Sequence, residues 1–312
     1  MPLAGFVVKA QSGFFSVETD QGLIVCRIPG RLKQRRQESD IVAVGDRVTI
    51  TRQREGTGTI ESIAERRSAL SRVRPSARGR SVLADREQIL VANPDQLVCV
   101  FAAAQPEPSL RKLDRFLVVA EMNHLPAVIC INKVDLIGLA AAQELFQMYT
   151  DLGYSVLYTS IKDGTGIVAL RDCLSHKLSV LAGSSGVGKS SLLNALQPGL
   201  GLRVREVSQA TGKGMHTTRY TELFALPGGG YVADTPGIRG LALFDVEPTE
   251  LDGYFREMAP LVTDCQFNDC THRHEPGCAI IKAVADGRIA PIRYESYLRL
   301  REEHDDLDRA MY

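Results

Sequence analysis

The chain has 312 residues, 44% of them hydrophobic and 24% charged, with 37 Lys and Arg against 37 Asp and Glu. These values are ordinary for a soluble protein of two or three domains, and no apolar run reaches the length of a membrane span. Seven scattered cysteines and the lack of a signal-peptide pattern argue against a secreted disulfide framework and for a reducing cytoplasm.

Charge is balanced overall but unevenly placed. Residues 31–80 carry 13 Lys and Arg against 6 Asp and Glu. A cationic N-terminal third in a neutral chain points to a polyanionic partner on that side, or to a solvated basic face. Over residues 1–72 the pattern is of short β-type runs: Gly5–Lys9, Phe14–Glu18, Leu23–Arg27, Arg47–Ile50 and Gly58–Ile63, with turn signals at Asp20-Gln21-Gly22 and Val44-Gly45-Asp46. Five such strands predict a small barrel, most simply of the OB type. The gap after the third run holds Arg31, Lys33, Arg35 and Arg36, a basic loop suited to an RNA backbone. Phe6, Phe14 and Phe15 are expected in the core rather than stacked on bases. Residues 66–95 read as a basic linker, either an RNA-contacting segment or a plain connector.

From residue 96 the pattern changes to that of an α/β domain. Leu97–Phe101 reads as a buried parallel strand, and a helix follows from about Ser109 with Leu110, Leu113, Phe116, Leu117 and Ala120 on one face. The next strand, Ala127–Ile131, runs into Asn132-Lys133-Val134-Asp135, which resembles the base-specificity motif of GTPases. A carboxylate there accepts two hydrogen bonds from the N1–H and N2–H₂ edge of guanine, which adenine cannot supply. Thr159 and Ser160 sit in a segment that resembles the second base-contacting loop.

Gly183-Ser184-Ser185-Gly186-Val187-Gly188-Lys189-Ser190 follows a short apolar strand and precedes a helical stretch beginning Ser191-Leu192. This is the context of a phosphate-binding loop: glycines turn backbone N–H groups toward phosphates, Lys189 reaches the terminal phosphates and Ser190 Oγ ligates Mg²⁺. Downstream, Asp234-Thr235-Pro236-Gly237 resembles the motif that senses a γ-phosphate, with Asp234 on Mg²⁺ through water and the Gly237 N–H on the phosphate. Between them lies a switch-like loop, 211–219, in which Thr217 or Thr218 completes the Mg²⁺ shell. Ile238 stands where many GTPases carry a glutamine. His216 is the candidate to align or deprotonate the attacking water, against a plain loop or RNA-contacting role. Asn-Lys-x-Asp precedes the phosphate loop, the reverse of the ordinary order, so the domain reads as circularly permuted. The permutation sets the sensor against the C-terminal module, which is expected to feel loss of the γ-phosphate.

Near the C-terminus, Cys265, Cys270, His272 and Cys278 supply three thiolates and an imidazole at close spacing. That set suits a closed, structural tetrahedral Zn²⁺ site, with His274 as a competing ligand. Removing the metal is expected to unfold mainly this module. Two helices follow, Ala279–Ala285 and Ile292–Leu307.

The ordered combination resembles one family over nearly the whole chain: the bacterial GTPases that depend on the small ribosomal subunit, the RsgA (YjeQ) family. The resemblance implies an OB-fold RNA-binding domain over 1–72, a circularly permuted P-loop GTPase domain over 73–243 and a helical zinc-binding domain over 244–312. It also implies GTP hydrolysis stimulated by the small (30S) subunit, 16S rRNA as partner, a role in late subunit maturation with hydrolysis coupled to release, and a cytoplasmic, monomeric protein. By the same resemblance Asn132, Lys133 and Asp135 read guanine, residues 183–191 hold phosphates, and Cys265, Cys270, His272 and Cys278 hold zinc. The segment Gly214–Arg219 departs from the family pattern, which usually has Arg before the His and a third Thr. Two other readings stand beside this one: a GTPase acting on another RNA, such as tRNA, and a non-catalytic RNA-binding protein regulated by GTP.

Overall fold

A computed structural model describes residues 2–30, 41–53, 56–74, 86–200, 221–234 and 249–311. Strands β1 (Pro2–Gln11), β2 (Phe14–Thr19), β3 (Gly22–Arg27), β4 (Arg47–Arg52) and β5 (Thr57–Ile63) lie where the alternating runs predicted strands. The pairings β1–β2, β2–β3, β3–β5, β5–β4 and β4–β1 close the sheet on itself, which removes its edges. Period-2 alternation turns Val17, Ile24, Cys26, Val48, Ile50 and Ile60 inward to a small dry core. Of the three phenylalanines expected in the core, Phe15 is buried there and Phe6 packs against Tyr231 at 5.0 Å between ring centroids. Phe14 corrects the expectation: it is 42% exposed, with the Arg27 guanidinium 4.5 Å from its ring centroid.

The stretch read as a linker is an antiparallel ribbon of β6 (Ala69–Arg74) and β7 (Arg86–Ala92). Its arginines obscured apolar residues that are buried on both sides of the ribbon: Leu70, Leu90 and Val91 join the main core, and Ile89 packs with Ala43 and Ala92. The ribbon meets the barrel at residues 43–46. Ala92 N–H donates to the Val44 carbonyl, and Asn93 Nδ2 donates to that of Gly45. Arg66 grips the buried Asp46 with two bonds of 2.7 Å.

Six strands build the α/β sheet: β8 (Gln96–Ala102), β9 (Ala127–Asn132), β10 (Ser155–Thr159), β11 (Leu178–Ala182), β12 (Glu222–Ala225) and β13 (Tyr231–Asp234). Their order is β10-β9-β8-β11-β13-β12, parallel except for β12. All residues of β8, β9 and β11 are buried because helices cover both faces. Helices α1 (Leu110–Met122) and α2 (Leu139–Asp151) pack on one face. Helices α3 (Ile167–Leu174) and α4 (Lys189–Leu196) pack on the other. The strand feeding the phosphate loop, β11, sits mid-sheet, with the three strands that precede it all on one side. β12 and β13 form a hairpin turned by Gly228–Gly230, and β12 also pairs with β1, with Lys9 opposite Glu222.

The C-terminal segment holds two 3₁₀ turns, Leu251–Tyr254 and Ala259–Asp264, then α5 (Ala279–Ala285) and α6 (Pro291–Met311). Its apolar side chains Leu251, Phe255, Met258, Ile280, Tyr297 and Leu300 are fully buried in the same core as α1 and β8. No described helix is long and apolar enough to cross a membrane.

Candidate nucleotide site and metal centre

Four loops meet at the C-terminal ends of the parallel strands, the edge at which open α/β sheets bind ligands. The turn 183–188 links β11 to α4, whose first residues are Lys189, Ser190 and Ser191. Lys189 Nζ folds back across the turn and donates to the carbonyls of Gly183 (2.7 Å) and Ser184 (3.0 Å). At the end of β9, buried Asn132 donates from Nδ2 to the Val187 carbonyl at 2.9 Å and accepts from Thr159 Oγ1 at 3.2 Å. One amide side chain thus ties the phosphate loop to the 159–160 loop. Gly188 is required at this contact: its φ is +99°, and a Cβ would lie 2.3 Å from Asn132 Nδ2.

Lys133, in the left-handed region at φ 62°, donates to the Gly186 carbonyl at 2.7 Å and to the Gln105 carbonyl. Burial lowers its pKa and the nearby Asp135 opposes that shift. Asp135 Oδ1 accepts a 2.8 Å bond from Ser160 Oγ, which fixes the carboxylate's direction. The loop after β8 that carries Gln105 gave no signal in the sequence, because its role is a backbone carbonyl. Residue Asp234 ends β13, in register with Leu181 of β11 and so at the same sheet edge as the phosphate loop. Its side chain, and residues His216, Thr217, Thr218 and Gly237, lie outside the described residues, as do Arg31, Lys33, Arg35 and Arg36.

The second site is a cluster of one ligand atom each from Cys265, Cys270, His272 and Cys278, all within 4.8 Å of one another. Cys265 and Cys278 sulfurs lie 4.0 Å apart, and His272 Nδ1 is 3.3 Å from Cys278 Sγ and 3.6 Å from Cys265 Sγ. A tetrahedral zinc with bonds of about 2.3 Å to sulfur requires edges of about 3.8 Å, so the donor set fits that ion. Burial pushes the Cys270 thiol up to about 12 and raises Cys278 as well; a bound cation would hold such groups as thiolates. His274 is exposed and outside the cluster, so it is His272 that the fold brings to the three cysteines. Asp252, which the spacing did not reveal, accepts a 2.8 Å bond from His272 Nε2. Glu275 holds the knuckle backbone, accepting from the N–H groups of Thr271, Arg273 and His274 at 2.7, 2.9 and 3.1 Å.

Comparison with known proteins agrees with this geometry. Residues 63–244 match the family model of the RsgA GTPase, and residues 4–60 match that of the RsgA N-terminal domain. A small ribosomal subunit biogenesis GTPase RsgA from Gemmatimonas aurantiaca is 48% identical over 302 residues, covering 96% of each chain. That from Chlorobaculum parvum is 42% identical over 309 residues, covering 97% of this chain and 99% of the relative. The crystal structure of YjeQ from Thermotoga maritima superposes with a TM-score of 0.78 at 38% identity, covering 97% of this chain and 98% of that one. YloQ, described as a circularly permuted GTPase, superposes at 0.73 with 33% identity, covering 98% and 96%. With a closed five-stranded barrel, a permuted nucleotide-binding sheet and a Cys₃His cluster in one chain, the protein belongs to the RsgA GTPase family and is a GTP hydrolase.

Proposed function

We propose that this GTPase acts on the small ribosomal subunit, hydrolysing GTP to GDP and phosphate late in subunit maturation, and that hydrolysis is coupled to its release. The subunit in this reading is supported by relatives named as small ribosomal subunit biogenesis GTPases, and its nucleotide by the direct bonding of the Asn132–Asp135 loop to the phosphate loop and to Ser160, which makes one continuous cradle. In it Asp135 reads the guanine edge, with Thr159 and Ser160 bordering the base. Lys133 covers the base plane while bracing two loops. Backbone N–H groups of 183–191 take the phosphates, and Lys189 exchanges its loop carbonyls for phosphate oxygens when GTP enters. Ser190, Asp234 and Thr217 or Thr218 would hold Mg²⁺, which neutralises charge developing on the β- and γ-phosphates. Gly237 faces the γ-phosphate. His216 orients or deprotonates the water, in place of the glutamine that Ile238 replaces.

The barrel supplies the rRNA contact through its basic loop and the Phe14–Arg27 surface. The domain limits in this reading are 1–72, 73–243 and 244–312, although β6 crosses the first of them and the C-terminal segment shares its core with α1; a monomeric state, a cytoplasmic location and a structural zinc belong to the same reading. Phosphate release from GTP, measured with small subunits, large subunits or neither, tests the reading. Strong stimulation by small subunits alone is expected; equal slow turnover in all three would redirect the search to another RNA. Asp135→Asn is expected to move nucleotide preference from guanine to xanthine, and unchanged preference in competition binding would overturn the base-reading role.

A further inference from the structure

We infer that Asp252 is the positioning residue of the metal centre: it selects the His272 tautomer whose Nδ1 lone pair faces the three sulfurs. This rests on reading the Cys₃His cluster as a metal site. Asp252 lies in the 3₁₀ turn Leu251–Tyr254, outside the knuckle and 20 residues from the histidine in sequence. Its two oxygens have separate tasks. Oδ1 accepts the Gly253 N–H at 2.8 Å, and Oδ2 accepts from His272 Nε2 at 2.8 Å. With both acceptors committed, the imidazole carries its proton on Nε2 and leaves Nδ1 as the ligand atom, 3.3 Å and 3.6 Å from two cysteine sulfurs. The fold holds the ring there against local preference. His272 has a φ of 58°, uncommon for a residue with a Cβ, and Tyr294 donates to its carbonyl at 2.5 Å.

Asparagine at 252 separates positioning from shape. It is isosteric, but its amide has one acceptor and one donor. If the acceptor keeps the Gly253 N–H, the NH₂ faces Nε2 and favours the opposite tautomer, with its proton on Nδ1 where the metal must bind. The full-length protein, as wild type, Asp252→Asn and Asp252→Ala, would be titrated with Zn²⁺ against a chromophoric chelator, and its Co²⁺ absorption spectrum recorded. Circular dichroism would check that each variant is folded. Expected are one tightly bound ion and a tetrahedral S₃N cobalt spectrum in the wild type. Affinity should fall about 10–100-fold in both variants, with altered cobalt bands. Asp252→Asn with unchanged zinc affinity and spectrum would overturn the positioning role while leaving the metal site standing. A wild type that takes up no ion would overturn both.

Discussion

Where the barrel meets the nucleotide-binding sheet, β1 runs beside β12 and apolar Phe6, Val8 and Ala10 are joined by partly exposed polar pairs; where the C-terminal segment meets it, the contact is core with a buried ion cluster. At the first seam Lys9 pairs with Glu222 at 3.0 Å, with both side chains more than a third exposed. Phe6 leans on Tyr231, and the Tyr231 hydroxyl donates to Glu18 at 2.7 Å. Beside them opens a cleft of about 780 Å³, lined among others by Arg47, Arg67, Asp95, His176 and Lys177. At the second seam Arg293 of α6 is 1% exposed and bonds Asp114 of α1 at 2.6 Å and Glu257 at 2.6 and 3.1 Å. Its guanidinium lies 4.6 Å from the Phe255 ring centroid, and the Tyr149 hydroxyl of α2 donates to the same Asp114 oxygen at 2.7 Å. Burial opposes the charge on Arg293, but the two carboxylates outweigh it and hold the guanidinium protonated. Both seams carry apolar packing, but the ion pair of the first is partly exposed while the ion cluster of the second is buried, where losing the partner of a charge costs most.

The largest effect should come from removing the zinc proposed for the Cys₃His cluster. Because Phe255, Met258 and Tyr297 share a core with α1, chelation should expose more than the knuckle. Hydrogen exchange after chelation is expected to lose protection over 249–300 and along Leu110–Met122, with the barrel strands unchanged. Loss confined to 265–278 would show the second seam to be weaker than its packing implies. Next is Arg293→Met. It strips the cation from between Asp114 and Glu257 and leaves two buried carboxylates uncompensated. A cost of about 3–5 kcal/mol is expected in denaturant melts. Replacing Asp114, Glu257 and Arg293 together by apolar residues should recover much of that loss, since the cluster's value lies in its completeness.

Much of this molecule was legible in the residues, but only where the signal is local. The phosphate-loop pattern, Asn132–Asp135 and the Cys₃His cluster are short motifs whose residues lie close in sequence, and the barrel strands carry their own period and turns. The ribbon of β6 and β7 was hidden because Arg72, Arg74 and Arg86 stand out in its composition, while its apolar run Ile89–Ala92 is short and carries no period-2 alternation. Phe14 escaped because its outward register follows from pairing with Arg27 across β2 and β3, not from its hydrophobicity. Asp252, Asp114, Glu257 and Arg293 look like ordinary surface charges in sequence. Each acquires its role from a partner far along the chain, with 179 residues separating Asp114 from Arg293. Tertiary partners of buried charges have no spacing rule to reveal them.

Two substitutions at the first seam complete the series. Gly45 has φ +93°, and a Cβ there would sit 2.0 Å from the Ala92 carbonyl oxygen. Gly45→Ala should cost about 1–3 kcal/mol through strain. The loss should fall on the contact between barrel and ribbon, seen as faster exchange at Ala92 N–H, with little change in the inner strands of the sheet. Lys9→Met should do least. Its pair with Glu222 is partly solvated, so screening and side-chain entropy leave about 0–1 kcal/mol, and less at high salt. The methionine keeps much of the lysine's apolar stem, so packing on β12 survives the change. If Lys9→Met destabilised the protein as much as Arg293→Met, the barrel would be as firmly seated as the C-terminal segment. The contrast between a partly exposed seam and a buried one would then have to be abandoned, because a solvated ion pair would be matching a buried ion cluster.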